Sequence, residues 1–410
     1  MRGNDRSKNE TKIDIHAPRG ILGEKGQAME MTIVSPRTVI AHPGALADLS
    51  AVPLAGTVLL VAGGRTIVEN GVVERASKII AAKVKKAALY HLPSGEPDTA
   101  SVDSLAAKAR TLSPDAIVVI GGGSAIDTAK AVSVLARNDG SIADYLEGAK
   151  EMRKITRPPL PIIAVPTTSG TGAEATKNAV VAIRGENIKR SLRSADIMPA
   201  TVILDAELTV SMNERTTAIT GFDALGQLIE SLICRRSNPF IAATALHGIT
   251  LMGKHFSGAC DEPKNIDHRA NMQFAAYLSG FCLANSGLGL AHGLASSIGG
   301  KYPIVHGLII GVLLPHVMRY NLQSSESLLA RAAEALTGRT FINDLEAAVK
   351  GIEAVEALKE RHTIPPTLAP FGIATKDIPD IVRASFGGSM SGNPAPVDEE
   401  SVIQFMEKLI

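Results

Sequence analysis

Tryptophan is absent from this chain, and nine Phe and five Tyr are its only other large aromatics. The core must therefore be aliphatic and alanine-rich. Three cysteines, Cys234, Cys260 and Cys282, stand in no metal-ligand spacing and suit a reducing compartment. A net charge of +1 offers no basic face for nucleic acid or for a membrane surface. No apolar run is long enough to span a bilayer. The first residues lack an apolar signal core and include acids, which points to the cytoplasm. There is no internal repeat and no low-complexity segment. What is present is 410 residues, 45% hydrophobic and 20% charged, enough for two domains with sizeable cores.

The chain is organised around residues 115–137, D-A-I-V-V-I-G-G-G-S-A-I-D-T-A-K-A-V-S-V-L-A-R. Ala116–Ile120 is short, apolar and β-branched, the pattern of a strand buried on both faces. Gly121, Gly122, Gly123 and Ser124 follow, then a helical period through Ile126, Ala129, Val132 and Leu135. Strand, glycine turn and helix start make a phosphate cradle, because glycine lets main chain approach an anion and the first helical N–H groups point at it. A plain turn would not need the entropic cost of three glycines. The G-x-G-x-x-G fingerprint is not matched.

Residues 1–29 are polar and aperiodic and read as a disordered tail. Thr57–Ala62 is a second buried strand, ended by Gly63, Gly64 and Arg65, with a helix expected to continue to about Lys86. A strand at Tyr90–Leu92 and a helix over Val102–Arg110 precede the central element. Ile162–Val165, Ala179–Ile183 and Thr201–Leu204 are further strands. Such alternation predicts a parallel sheet. Between the first two of these lies a hydroxyl-rich loop, P-T-T-S-G-T-G-A-E, from Pro166 to Glu174. Helical periodicity dominates from Asn213 onward. The expected domains are residues 30–207, an α/β domain, and 208–410, a helical one. Asp398 is placed to cap a last helix, Ser401–Ile410.

Asp223 and Gln227 stand four residues apart, on one face of a helix. His292 and His306 follow in a glycine-rich stretch. One carboxylate, one amide oxygen and two imidazoles suit Fe²⁺ or Zn²⁺. Each also has a structural reading. Asp223 can close a capping box begun by Thr220, Gln227 can face water, His292 can be a satisfied core histidine, and His306 can simply precede a helix. Lys177 and Arg193 are candidate anchors for an anionic substrate, with a solvated surface position as the alternative for each.

The motifs G-G-G-S-A-I-D-T-A-K (121–130), P-T-T-S-G-T-G-A-E (166–174), G-F-D-A-L (221–225), G-L-G-L-A-H-G-L-A (287–295), H-G (306–307) and L-L-P-H-V-M-R-Y-N (313–321) occur in that order. From Pro36 onward the chain resembles the iron-containing, or group III, alcohol dehydrogenases and their maleylacetate reductase relatives. The resemblance implies a Rossmann-like parallel-sheet domain that binds a dinucleotide, followed by an all-α domain that binds metal and substrate, the dehydroquinate synthase-like fold, with a cleft between them. It implies that Gly121, Gly122, Gly123, Ser124 and Asp127 hold the cofactor diphosphate region. Thr167, Thr168, Thr171, Gly172 and Lys189 are implied as further cofactor contacts, and Asp223, Gln227, His292 and His306 as metal positions. It also implies a small alcohol or carbonyl substrate and a homo-oligomer, commonly a dimer.

Three departures stand out. Gln227 replaces a histidine of the family pattern and is the weaker ligand. Ser296 replaces a second histidine concerned with proton traffic and substrate position. Gly63 replaces an acid that bonds the adenosine ribose, and with Arg65 beside it favours NADP(H) over NAD(H). The expected function is NAD(P)-dependent interconversion of an alcohol and an aldehyde or ketone. His292, His306 and Asp223 are its catalytic candidates. A metal-independent reductase of the maleylacetate type, a dehydroquinate-synthase-like enzyme and a non-catalytic nucleotide-binding relative are the alternatives.

Overall fold

Strand periodicity decides the N-terminal half. A computed structural model describes residues 31–93, 95–186 and 188–410; the tail expected over residues 1–29 lies outside the described residues. The strands are β1 (Thr38–Ala41), β2 (Thr57–Ala62), β3 (Lys86–His91), β4 (Ala116–Gly121), β5 (Ile162–Pro166), β6 (Asn178–Ile183), β7 (Ile188–Arg193) and β8 (Thr201–Leu204). Six of them form one sheet in the order β1-β8-β5-β4-β2-β3, every pair parallel. Successive side chains alternate between two cores. Leu59, Val61, Ile117 and Val119 enter one, and Val58, Leu60, Val118 and Ile120 enter the other. Burial on both faces explains why β2, β4 and β5 are continuous apolar runs.

Helices α1 (Arg65–Glu69), α2 (Val72–Ala81), α3 (Thr99–Leu112) and α4 (Gly123–Leu135) are the crossovers of this sheet. The helix expected through Lys86 is instead two helices broken at Gly71, whose φ of +70° is left-handed, and it stops at Ala81. Lys86 opens β3, an edge strand too exposed to show an apolar run. β6 pairs antiparallel with β7, outside the main sheet. The sequence I-K-R-S-L-R of β7 carries little strand signal, because most of its side chains are only partly buried.

The architecture changes between Leu204 and Glu214, inside one compact unit of residues 33–410. The remaining helices are α5 (Glu214–Ile233), α6 (Pro239–Asp261), α7 (Ile266–Ser286), α8 (Leu290–Lys301), α9 (His306–Thr337), α10 (Asp344–Arg361), α11 (Ile378–Ser385) and α12 (Glu399–Glu407). Side-chain caps start most of them. Asn213, Asn238, Asn265 and Asn343 accept first-turn N–H bonds at α5, α6, α7 and α10. Asp398 caps α12 in a reciprocal box with Ser401. The helical core is aliphatic, gathered around Leu225, Leu228, Ile249, Ile310 and Leu314, with Phe222 and Phe256 edge to face at its centre. Among the described residues no single helix is long and apolar enough to cross a membrane.

Candidate active site

The glycine turn is shaped by what it packs against. β4 ends at Gly121, Gly122 takes the N-cap position of α4, and Gly123 begins the helix with no side chain capping it. Ala125 N and Ile126 N donate to Gly122 O, and the N–H groups of Gly123 and Ser124 ahead of them are left to an outside acceptor. A Cβ at Gly123 would fall 2.6 Å from Thr171 Oγ1, and one at Gly122 3.3 Å from Thr168. The turn and the hydroxyl loop therefore form facing walls that only glycine permits. Thr167 joins them, its N–H donating to Gly121 O at 3.1 Å. Gly172, at φ +57°, passes main chain against main chain of Gly280 on α7. This contact ties the loop to the helical half.

Three elements of that half bring the other wall. Asp223 lies in the middle of α5, which Asn213 caps, so the capping-box reading with Thr220 does not hold. His292 lies in the first turn of α8, and His306 opens α9. Gly307 lets α9 close on α5, since a Cβ there would sit 2.4 Å from Ile219 O. His292 Nε2 is 3.3 Å and His306 Nε2 3.7 Å from the same atom, Asp223 Oδ1. The ligand atoms of all three lie within 4.8 Å of one another. Gln227 is buried one turn on, so it does not face water. Its Oε1 accepts from Ser279 Oγ at 2.7 Å, and its Nε2 donates to Thr171 O at 3.3 Å.

One residue that sequence reasoning missed holds this arrangement. Glu230 is 1% exposed. Its carboxylate accepts from His292 Nδ1 at 2.6 Å, from Ala291 N at 2.7 Å and from His292 N at 3.3 Å. It fixes the ring and satisfies the start of α8 together. Asp223, Gln227 and Glu230 stand at i, i+4 and i+7, one stripe of α5, and that spacing was the available signal. Burial opposes a charge on His292, but the hydrogen bonds to Asp223 and Glu230 outweigh it and lift its pKa to about 9. Burial lowers that of His306, with Asp223 opposing. Asp223 is held low overall: burial works against its charge, and the bond to His292 and the charges of both imidazoles prevail.

Both walls open on one cavity of about 230 Å³. Gly123, Ser124, Asp127, Thr171 and Lys189 line it from the sheet side, and Asp223, Gln227, His292, Ser296 and His306 from the helical side. Ser296 turns its hydroxyl back to His292 O at 3.0 Å. Lys189 is paired with Glu96 at 2.7 Å, a second residue missed in the sequence. Asp127 Oδ2 accepts from Val180 N, and burial pushes its carboxyl up to about 6 against the pull of Lys130. Asn178 also lines the cavity, and its buried Oδ1 has no partner. Gly63, just after β2, packs on the glycine turn without lining the cavity: a Cβ there would meet Ala125 at 2.6 Å, and one at Gly121 would fall 2.8 Å from its carbonyl oxygen, while Arg65 is exposed and also outside the lining. Arg193 pairs with Glu147 on the surface, and neither it nor Lys177 lines the cavity.

The chain matches the family described as iron-containing alcohol dehydrogenase over residues 36–206 and that family's C-terminal region over residues 217–410. The chain belongs to the iron-containing alcohol dehydrogenase family. Alcohol dehydrogenase 4 of Saccharomyces cerevisiae is 32% identical over 82% of this chain and 87% of its own length. The NAD-dependent methanol dehydrogenase of Bacillus methanolicus is 32% identical over 72% of this chain and 77% of its own. The crystal structure of a 1,3-propanediol oxidoreductase superposes with a TM-score of 0.86 at 28% identity, covering 93% of this chain and 100% of that one. This iron-containing alcohol dehydrogenase is thus an oxidoreductase that interconverts an alcohol and an aldehyde with a nicotinamide cofactor.

Proposed function

We propose that the enzyme reduces an aldehyde or ketone with NADPH, and runs in reverse with NADP⁺, in the cavity between the glycine turn and the Asp223–His292–His306 cluster. One observation carries the reading: Gly123 and Ser124, at an uncapped helix start, and those three donors line the same 230 Å³ space. The cradle fits a dinucleotide's diphosphate, because Gly123 and Ser124 line the cavity at a helix start that no side chain caps. The donor set fits Fe²⁺ or Zn²⁺: one carboxylate and two imidazoles converge, and Glu230 holds the far nitrogen of His292. When bound, such an ion supplies Lewis-acid polarisation of the carbonyl oxygen.

The chain's own residues supply the rest. Asp223 Oδ1 draws both Nε2 atoms toward one point. Gln227 hydrogen-bonds to Asp223 and is itself held by Ser279, so it joins the ligand set only by turning its amide. Thr171 and the glycine turn hold the nucleotide, and Lys189 stands at the cavity wall to meet its ribose. Without a metal, both nitrogens of His292 face carboxylates, leaving His306 as the donor to the carbonyl oxygen. The choice of NADP(H) rests on the absence of an acid after β2 and on Arg65, which pairs with no acid among the described residues. An aldehyde and ketone panel assayed with NADPH and NADH, with and without Fe²⁺ or Zn²⁺, tests the reading. Turnover with NADH alone overturns the cofactor assignment, and no turnover in any arm overturns the function.

A further inference from the structure

A second convergence of metal-binding side chains lies where α6 gives way to α7, on helices that supply none of the three catalytic donors. His255 sits in the last two turns of α6, and Asp267 and His268 in the first turn of α7. His255 Nδ1 faces His268 Nδ1 at 3.0 Å, and Asp267 Oδ2 is 3.7 Å from His255 Nδ1. One ligand atom from each falls within 4.8 Å of the other two.

In the absence of an ion the two rings hydrogen-bond, and the same geometry suits coordination. The two rings are tilted by 62° with centroids 5.2 Å apart, so their nitrogens converge without stacking. Ligands about 2.0–2.1 Å from a tetrahedral Zn²⁺ lie about 3.3 Å from one another, so the spacings of His255 to His268 and to Asp267 need only a few tenths of an ångström of adjustment. His268 is backed by Gly258, where a Cβ would fall 2.5 Å from the ring. Asn271 Nδ2 donates to Asp267 Oδ1 at 3.2 Å, leaving Oδ2 turned toward His255. A hydrogen bond to the outer oxygen of a ligating carboxylate is how such ligands are oriented. Asp267 is exposed, so water reaches the remaining position.

We propose that His255, Asp267 and His268 form a second metal site, for a borderline divalent ion of the Zn²⁺ class. Two imidazoles and one carboxylate select such an ion over Mg²⁺ or Ca²⁺, which take oxygen sets. The ion links the end of α6 to the start of α7 across the connection at residues 262–265, so its binding registers in stability and stoichiometry rather than in turnover.

The test is equilibrium dialysis of the full chain, first stripped by chelator, against Zn²⁺. The parent is compared with His255→Gln, His268→Gln and Asp267→Asn, and bound zinc is counted per chain. The parent binds one equivalent more than either histidine variant, whatever the catalytic donors retain, and Zn²⁺ raises its melting temperature more than theirs. Turnover stays within twofold of the parent in all three, which also shows that they fold. Asp267→Asn loses the same equivalent while keeping both rings in place. Equal zinc stoichiometry in the parent and in folded His255→Gln overturns the proposal. So does displacement of that equivalent of Zn²⁺ by an equal concentration of Mg²⁺.

Discussion

Glu230→Gln tests the active-site geometry most sharply, because it keeps the shape and changes only the pattern of acceptors. Three N–H groups converge on the two carboxylate oxygens: Ala291 N on Oε1, and His292 N and Nδ1 on Oε2. An amide offers one oxygen and one NH₂ group. If the oxygen faces His292, the NH₂ meets the Ala291 N–H, and a buried donor is left unsatisfied at a cost of about 1–3 kcal/mol. If it faces Ala291, the NH₂ donates to Nδ1 and moves the imidazole proton to Nε2. That atom then presents an N–H to Asp223 and has no lone pair for a metal. Either way a charge-assisted bond is lost, and Fe²⁺ or Zn²⁺ affinity is expected to fall about 10–100-fold, equivalent to about 1.4–2.8 kcal/mol. Competition with a chromophoric chelator reads the affinity without reference to turnover. A cycle with His292→Ala separates the ring's share from the cap of α8. A folded Glu230→Gln protein that binds metal within threefold of the parent would refute the reasoning.

Three further outcomes follow from the same structure. Arg65→Ala is expected to lower kcat/KM with NADPH about tenfold, the worth of one charge-assisted contact of about 1.5 kcal/mol, and to leave NADH kinetics unchanged; equal effects on both cofactors would contradict the assignment. Gly307→Ala forces a Cβ to within 2.4 Å of Ile219 O, and is expected to cost about 1–3 kcal/mol in urea unfolding and to reduce metal binding by displacing His306. Asp98 caps α3 through Ser101 N and pairs with Arg184, and these contacts, the Ser101 bond foremost, hold its carboxyl below the usual range. Its stabilisation is complete above the ordinary carboxylate pKa of about 4 and is lost as pH falls toward the lower folded value. Asp98→Asn keeps a capping oxygen and loses only the charge at the helix start and toward Arg184, so it is expected to cost about 0.3–1 kcal/mol at pH 7, with the gap from the parent closing in acid; a gap that widens below pH 4 would reverse the sign.

The central strands were readable because burial on both faces leaves an unbroken apolar run, as in Ala116–Ile120. Only the end of β3 falls within the strand expected at Tyr90–Leu92, and β7 was not expected, because they lie at an edge or in a half-exposed hairpin, where lysines and arginines are tolerated. In the site, Asp223 and Gln227 showed themselves by helical spacing, and the two histidines through the family's motifs. The pairing of Lys189 with Glu96 spans 93 residues and exists only because the β6–β7 hairpin carries Lys189 to the cavity wall, so no local pattern encodes it. Nor does the local sequence show that Ser279, on α7, takes the oxygen of Gln227.

Main chain rests on main chain where Gly172 meets Gly280. With no side chain interposed, nothing at that seam can swing aside to absorb a displacement. A shift of α7 is passed directly to the loop bearing Thr171, whose carbonyl receives the Gln227 amide and whose hydroxyl backs Gly123. The seam thus works as a rigid coupling: the glycine turn and the Asp223–His292–His306 cluster ride on one frame, and a disturbance entering through either reaches both.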